Sequence, residues 1–403
     1  GGARYGEQAV QAAELIGVAG IESAFNDRLS DPARAGEPLM LTLDLTIQAA
    51  VERVLAGGMT VMNAKGAAAI LMDAHTGEII SLASLPDFDP NDRPSPLTTG
   101  FDPSESPLFN RAVQGVYELG STFKIFAAAQ ALEMGLVNPN TMINTRGPIR
   151  WGKHRINDFH DYGAELTVSD VIVRSSNIGT ARLAQQIGAA NQREFLDRLG
   201  FTKPTAIQLT EASGSQPLLP SNWSELSTMT ISYGHGLSAS PLHLATAYAS
   251  LLNGGTRVTP TLVRTGPVAP GPRVVSERTS AVARDMLRQV VASDHGTASF
   301  AEVAGYQVGG KTGTADKPKP RGGYYDDKVI ATFASVFPTN DPKYILIVTL
   351  DEPVVTILNE ARRTAGFTAV PVAAEIIRRV APLLGLKPEI EQPGPLGVTL
   401  TAN

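Results

Sequence analysis

Three stretches late in the chain decide the fold: YQVGGKTGTA at 306–315, VIATFASVF at 329–337 and YILIVTL at 344–350. Each is a largely apolar run of strand length, and turn-forming residues separate one from the next. Three such runs in succession predict an antiparallel meander. Working outward, Ala67–Asp73 and Glu78–Ser84 flank His75-Thr76-Gly77 and predict a hairpin. Helical patterns fill the intervening chain. Asp44 is placed to cap a helix carrying Ile47, Val51, Val54 and Leu55, with Gly57-Gly58 expected to end it. Further helices are expected over Gly120–Glu133, after the capping pattern Thr167-x-x-Asp170, and over Pro241–Leu252, Ser280–Ala292 and Phe367–Leu384.

Residues 1–40 hold an Ala-rich stretch (Gln8–Ile16), then Gly17–Leu29 and a polar link at Asp31–Gly36, too little apolar material for a core of its own. The segment 387–403 is rich in Pro and Gly and is expected to be loose. The formal net charge of −5 offers no basic excess to neutralise phosphates, so nucleic acid is not expected as a partner. With no cysteine, disulfides and thiolate metal sites are excluded. The six histidines lack metal-ligand spacing, so no metal is expected. No apolar run reaches the roughly 18 residues of a membrane span. Asp351-Glu352 reads as a solvated strand end, Trp151 and Trp223 as packing, and Gly234-His235-Gly236 as a turn.

Three short patterns carry chemistry. In Ser121-Thr122-Phe123-Lys124, helical spacing puts the amine and the hydroxyl on one face. A serine hydroxyl needs a neighbouring base to become a nucleophile, and a lysine serves only where burial or nearby positive charge lowers its pKa. The Ile-Phe-Ala-Ala-Ala run after Lys124 supplies an apolar wall, and no other lysine has a serine three residues before it. In Ser175-Ser176-Asn177, a hydroxyl and an amide sit in a turn between helical stretches, where Ser175 can relay a proton and Asn177 can hold a substrate amide or orient the lysine. In Lys311-Thr312-Gly313-Thr314, a strand offers a cation and hydroxyls to a carboxylate. Gly313 allows close backbone approach, and the Thr314 N–H is a candidate oxyanion donor beside that of Ser121.

The order Ser-x-x-Lys, Ser-x-Asn, Lys-Thr-Gly is the signature of penicillin-binding proteins and related β-lactamases. With these motifs the chain resembles a class B penicillin-binding protein, the monofunctional transpeptidase of peptidoglycan synthesis. The likeness runs from about Gly17 to Leu386 and includes Gly20–Phe25, Leu41–Gln48, Ser232–Gly236 and Ser240-Pro241-Leu242. Ser175–Gly179, Ser232–Leu237 and Lys311–Ala315 are more similar to the septal division enzyme than to the elongation enzyme. Leu119 stands where the family usually has proline.

The resemblance implies an α/β (α+β) transpeptidase fold, a mainly antiparallel sheet with helices on both faces. It divides the chain into a pedestal remnant at 1–40, a transpeptidase domain at 41–386 and a tail at 387–403. It implies that Ser121 is acylated, Lys124 accepts its proton, Ser175 passes a proton to departing D-alanine and Asn177 positions the peptide. Lys311, Thr312 and Thr314 would hold the terminal carboxylate, with Gly313 beside them. Implied partners are stem peptides ending in D-Ala-D-Ala, β-lactams, a membrane glycosyltransferase and divisome proteins. The implied location is the inner membrane, by a single N-terminal anchor, with the catalytic domain in the periplasm. No metal or organic cofactor is implied. Rival readings are a serine β-lactamase, which hydrolyses its acyl-enzyme fast, and a β-lactam sensor or silent scaffold.

Overall fold

The computed structural model describes residues 16–97, 101–264, 266, 268–319 and 321–389, so the expected stretch Gln8–Ile16 lies, but for its last residue, outside the described residues, as does the tail beyond 389. Two short helices, α1 (Gly20–Ala24) and α2 (Asn26–Ser30), contain no buried residue. Next comes α3 (Leu45–Val61), then strands β1 (Gly66–Asp73) and β2 (Ile79–Leu85). Helix α4 (Lys124–Glu133) is followed by four short strands, β3 (Met142–Asn144), β4 (Ile149–Trp151), β5 (His154–Ile156) and β6 (Glu165–Thr167). Five helices follow: α5 (Val168–Val173), α6 (Asn177–Ile187), α7 (Ala189–Leu199), α8 (Glu225–Ile231) and α9 (Pro241–Leu252). The chain closes through α10 (Glu277–Ala292), β7 (Gly309–Pro318), β8 (Tyr324–Phe337), β9 (Tyr344–Asp351), the hairpin β10 (Val355–Ile357) and β11 (Glu360–Arg362), and α11 (Ala369–Leu383).

The expected meander and hairpin join in one sheet of order β2-β1-β9-β8-β7, antiparallel at every pairing. Strand β9 is buried along almost its whole length, as are β1 and the inner part of β8. Continuous burial of that kind requires cover on both faces, because alternate side chains point opposite ways. Two sets of helices supply it: α3 packs with α11 against β1, β2 and β9, and α9 packs with α10, meeting β1, β8 and β9. Strand β7 lies at the sheet's edge, beside α10 and the turn that carries Ser121.

Local chemistry explains the ends of these elements. Asp44 caps α3 by accepting from the Thr46 and Ile47 amides, and Ile47, Val51, Val54 and Leu55 face the core as the spacing predicts. Gly58 does not end that helix. It is buried against α11, where a Cβ would stand 2.6 Å from Val372 Cγ2, so the glycine serves close helix packing. Thr167 caps α5 through the Asp170 amide, and the Asp170 carboxylate accepts from the Thr167 hydroxyl in return.

One surface assignment is corrected. Asp351 is not solvated: it is 2% exposed, with Oδ1 2.7 Å from Lys317 Nζ and Oδ2 3.8 Å from Arg111 Nε, and Arg111 is itself 2% exposed. Strand ends look polar in sequence whether their carboxylates meet water or buried cations.

Candidate active site

The site assembles at the edge strand from three segments far apart in sequence. Ser121 lies in a 3-10 turn, Gly120–Phe123, and Lys124 is the first residue of the α-helix proper. The expected helix start is therefore tighter than α-helical at the serine. The turn depends on two glycines with left-handed backbone, Gly120 (φ +56°) and Gly234 (φ +83°). A Cβ on Gly234 would fall 1.9 Å from the Gly120 carbonyl oxygen, and the Gly120 amide donates to Gly234 O at 3.2 Å. The turn also abuts β7, where a Cβ on Gly313 would lie 2.2 Å from the Leu119 carbonyl oxygen. An ideal Cβ on Gly120 would lie 3.1 Å from the Thr314 backbone nitrogen, so the amide ends of Ser121's turn and of Thr314 are neighbours. From beneath, Tyr248 Oη donates to Thr122 O at 2.8 Å, and the rings of Phe123, Phe126 and Phe201 pack against one another.

Ser121 is half-buried, and its hydroxyl makes no hydrogen bond among the described residues. Lys124 is 1% exposed and directs its amine at Ser175, donating to the Ser175 carbonyl and, at 3.0 Å, to Ser175 Oγ. Lys311, fully buried on β7, donates to the same Ser175 Oγ at 2.9 Å. Two ammonium groups on one hydroxyl repel each other, and burial penalises both charges. Burial first, and then Lys311, holds the Lys124 amine well below its usual range. Burial lowers Lys311 to about 7.

Ser175 reaches both lysines because its backbone is left-handed, with φ of 63°, a conformation costing on the order of 1–3 kcal/mol outside glycine. The turn is held by a residue that sequence reasoning missed. Asp158, in the loop after β5, accepts from the Asn177 and Ile178 amides with Oδ1 and from the Ser176 hydroxyl at 2.6 Å with Oδ2. It therefore caps α6 together with Ser176, whose Oγ takes the Gly179 amide at 2.8 Å. Asp158 also opposes the lowering of the Lys124 pKa. Asp158 lies 18 residues before Ser176, outside the Ser-x-Asn motif, so reading the motif does not reach it. The Asn177 side-chain amide donates to Asn157 O at 2.9 Å and does not touch Lys124.

On β7 the side chains divide as the two-residue period requires. Lys311 leaves the strand on one face and curls to Ser175, its amine coming within 3.5 Å of Thr312 Oγ1, while Thr312 and Thr314 leave on the other face. Thr314 Oγ1 accepts from the Ala365 amide at 2.9 Å, which leaves its own proton free to donate. The Gly234-His235-Gly236 turn does border the site, and His235 Nδ1 is 3.0 Å from Glu118 Oε2. That hydrogen bond, more than the opposing burial, raises the His235 pKa.

Comparison with known proteins gives the family. Residues 67–378 match the family model described as the penicillin binding protein transpeptidase domain. The chain belongs to the penicillin-binding protein transpeptidase family. It is 37% identical over 385 residues to a probable peptidoglycan D,D-transpeptidase FtsI of Caulobacter vibrioides (strain NA1000 / CB15N), covering 93% of this chain and 64% of that one. It is 32% identical to peptidoglycan D,D-transpeptidase FtsI of Escherichia coli (strain K12), covering 90% and 59%. The apo TP domain of Burkholderia pseudomallei penicillin-binding protein 3 superposes with a TM-score of 0.75 at 30% identity, covering 88% of this chain and 98% of that one. These likenesses place the chain with the class B, septal-type members and establish the transpeptidase fold. The chain spans about three-fifths of the length of those two curated relatives.

Proposed function

We propose that this family member is a serine-type D,D-transpeptidase, which cross-links peptidoglycan stem peptides through an acyl-enzyme on Ser121. The observation that carries the reading is the convergence of two buried lysines on Ser175 Oγ, with Lys124 three residues after Ser121, whose hydroxyl makes no hydrogen bond among the described residues. Neutral Lys124 takes the proton as Ser121 Oγ attacks the penultimate D-alanine carbonyl, and the Ser121 and Thr314 amides receive the developing oxyanion. The C–N bond then breaks. The proton passes from Lys124 through Ser175 Oγ to the departing amine, and D-alanine leaves. An amine of a second stem peptide attacks the ester, returns its proton along the same path and frees Ser121. Asn177 positions the donor peptide. Cationic Lys311, with the hydroxyls of Thr312 and Thr314, holds the terminal carboxylate beside the bond under attack, and Gly313 leaves room for the Ser121 turn. A β-lactam follows the same first step, but its leaving nitrogen stays tethered, so the adduct persists. No step calls on a metal or an organic cofactor.

On this reading 41–386 is the catalytic unit, 1–40 the end of a pedestal and 387–403 a loose tail. The protein works in septal wall synthesis, anchored in the inner membrane with this domain in the periplasm, beside a membrane glycosyltransferase and other divisome proteins. Among the described residues no helix is long and apolar enough to cross a membrane.

The test is labelling with a fluorescent penicillin, followed by peptide mapping. A stoichiometric adduct on Ser121 that vanishes in Ser121→Ala is expected. An adduct on another residue sinks the nucleophile assignment, and rapid loss of label with turnover in seconds favours a β-lactamase. Absence of any adduct favours a catalytically silent scaffold.

A further inference from the structure

The two hydroxyls assigned to the carboxylate are each braced from outside β7. Thr314 takes the Ala365 amide, as described. Thr312 Oγ1 lies 2.9 Å from Thr297 Oγ1, in the loop between α10 and β7. That loop is itself fixed: the Gly296 amide donates to Ser293 O at 2.8 Å and the Ala298 amide to Val290 O at 3.1 Å. It also meets the segment that braces Thr314, since a Cβ on Gly366 would stand 2.9 Å from Thr297 O. Sequence reading gave Thr297 no role.

We propose that Thr297 is a positioning residue, which turns the Thr312 hydroxyl toward the substrate carboxylate. The inference rests on the reading of β7 as the carboxylate grip. A threonine hydroxyl has one proton and two acceptor sites. In the pair Thr297–Thr312 only one proton lies between the two oxygens. The Lys311 amine, a donor only, stands 3.5 Å from Thr312 Oγ1 and supplies at most a stretched bond. When a carboxylate draws the Thr312 proton, the hydroxyl of Thr297 donates to the oxygen Thr312 has turned. The two bonds then polarise each other, and the charge-assisted one is strengthened. Thr297 itself makes no contact with the reacting carbonyl.

The experiment compares wild type with Thr297→Val, Thr297→Ala and Thr297→Ser. Second-order acylation is measured with a penicillin and with its carboxylate methyl ester. Valine and alanine remove the donor, and the preference for the free acid should narrow on the order of three- to tenfold, because the acid slows more than the ester. Serine restores the hydroxyl and should restore the wild-type ratio. An unchanged ratio in both the valine and alanine variants overturns the role of Thr297 and leaves the grip standing. Acid and ester rates that fall in parallel show a merely structural role and overturn it too. A wild type that acylates acid and ester equally fast overturns the grip itself, and this inference with it.

Discussion

At the scale of single residues, one hydroxyl shared by two lysines separates the roles of chemically identical groups. Burial presses both amines toward neutrality, and a charge on either one presses the other further. A base must be neutral to accept a proton, whereas a carboxylate grip must be charged. Acylation measured as a second-order constant reports the free enzyme, so both requirements enter its pH profile. The rate should rise with pH as Lys124 loses its proton, well below the value of about 10.4 for a free lysine. It should then fall as pH passes about 7, where Lys311 loses its charge. A rate that climbs steadily to pH 10 would sink the assignment of the cation to Lys311. Lys124→Arg should abolish acylation, since arginine stays protonated.

At the scale of elements, the strained turn ahead of α6 is held by Asp158, which satisfies two helix amides and the capping serine. Asp158→Ala would leave those donors seeking partners and release Ser175 from its left-handed backbone. Losing hydrogen bonds to a charged acceptor costs about 1.5–3 kcal/mol for the first alone. A lowered unfolding midpoint is therefore expected together with acylation slowed at least tenfold. Asp158→Asn, which keeps one acceptor oxygen for the helix amides but puts an NH2 where the other oxygen took the Ser176 hydroxyl, should lie between. Wild-type values in the alanine variant would show that the turn holds itself. This part of the site was not legible in the sequence. The strands at 306–350, the helix carrying Lys124 and the three motifs were, because periodicity and fixed spacing record local geometry. Asp158, Thr297 and the contact of Gly58 with Val372 record the meeting of distant segments, and a single chain read linearly has no mark for that. The 3-10 turn at Ser121 escaped for a related reason, since glycines in other segments impose it.

At the scale of the molecule, one buried carboxylate connects two halves of the catalytic apparatus. Asp351 ends β9. It faces Arg111, in the lead-in to Ser121, and Lys317, three residues beyond Thr314 on β7. Asp351 and Arg111 are both buried, while Lys317 is partly exposed and also pairs with Glu352 at 2.9 Å; burial opposes the rise that Asp351 gives the Lys317 pKa, and the rise prevails. Removing one partner of a buried ionic group is expensive because the others keep their charge, typically about 3–5 kcal/mol. Asp351→Ala is expected to lose stability on that scale in denaturant titration and to slow acylation, although Asp351 touches no reacting atom. A loss below about 1 kcal/mol, the range of exposed ion pairs, would contradict the buried tie.

The shared hydroxyl has one more consequence, which appears as heat. The cation of Lys311 titrates at about 7 in the empty site. A carboxylate arriving beside it favours the charged form, so binding draws protons from the buffer. Calorimetry of a carboxylate ligand with the Ser121→Ala variant should give an apparent enthalpy that changes with the ionisation heat of the buffer. The proton uptake should grow as pH rises through 7 and fade well below it. A binding heat independent of buffer would mean that the cation was fully in place before the ligand came. As the solution turns acid the charged form of Lys311 is favoured, so such a site holds a carboxylate more tightly, while the Lys124 amine grows slower to accept a proton.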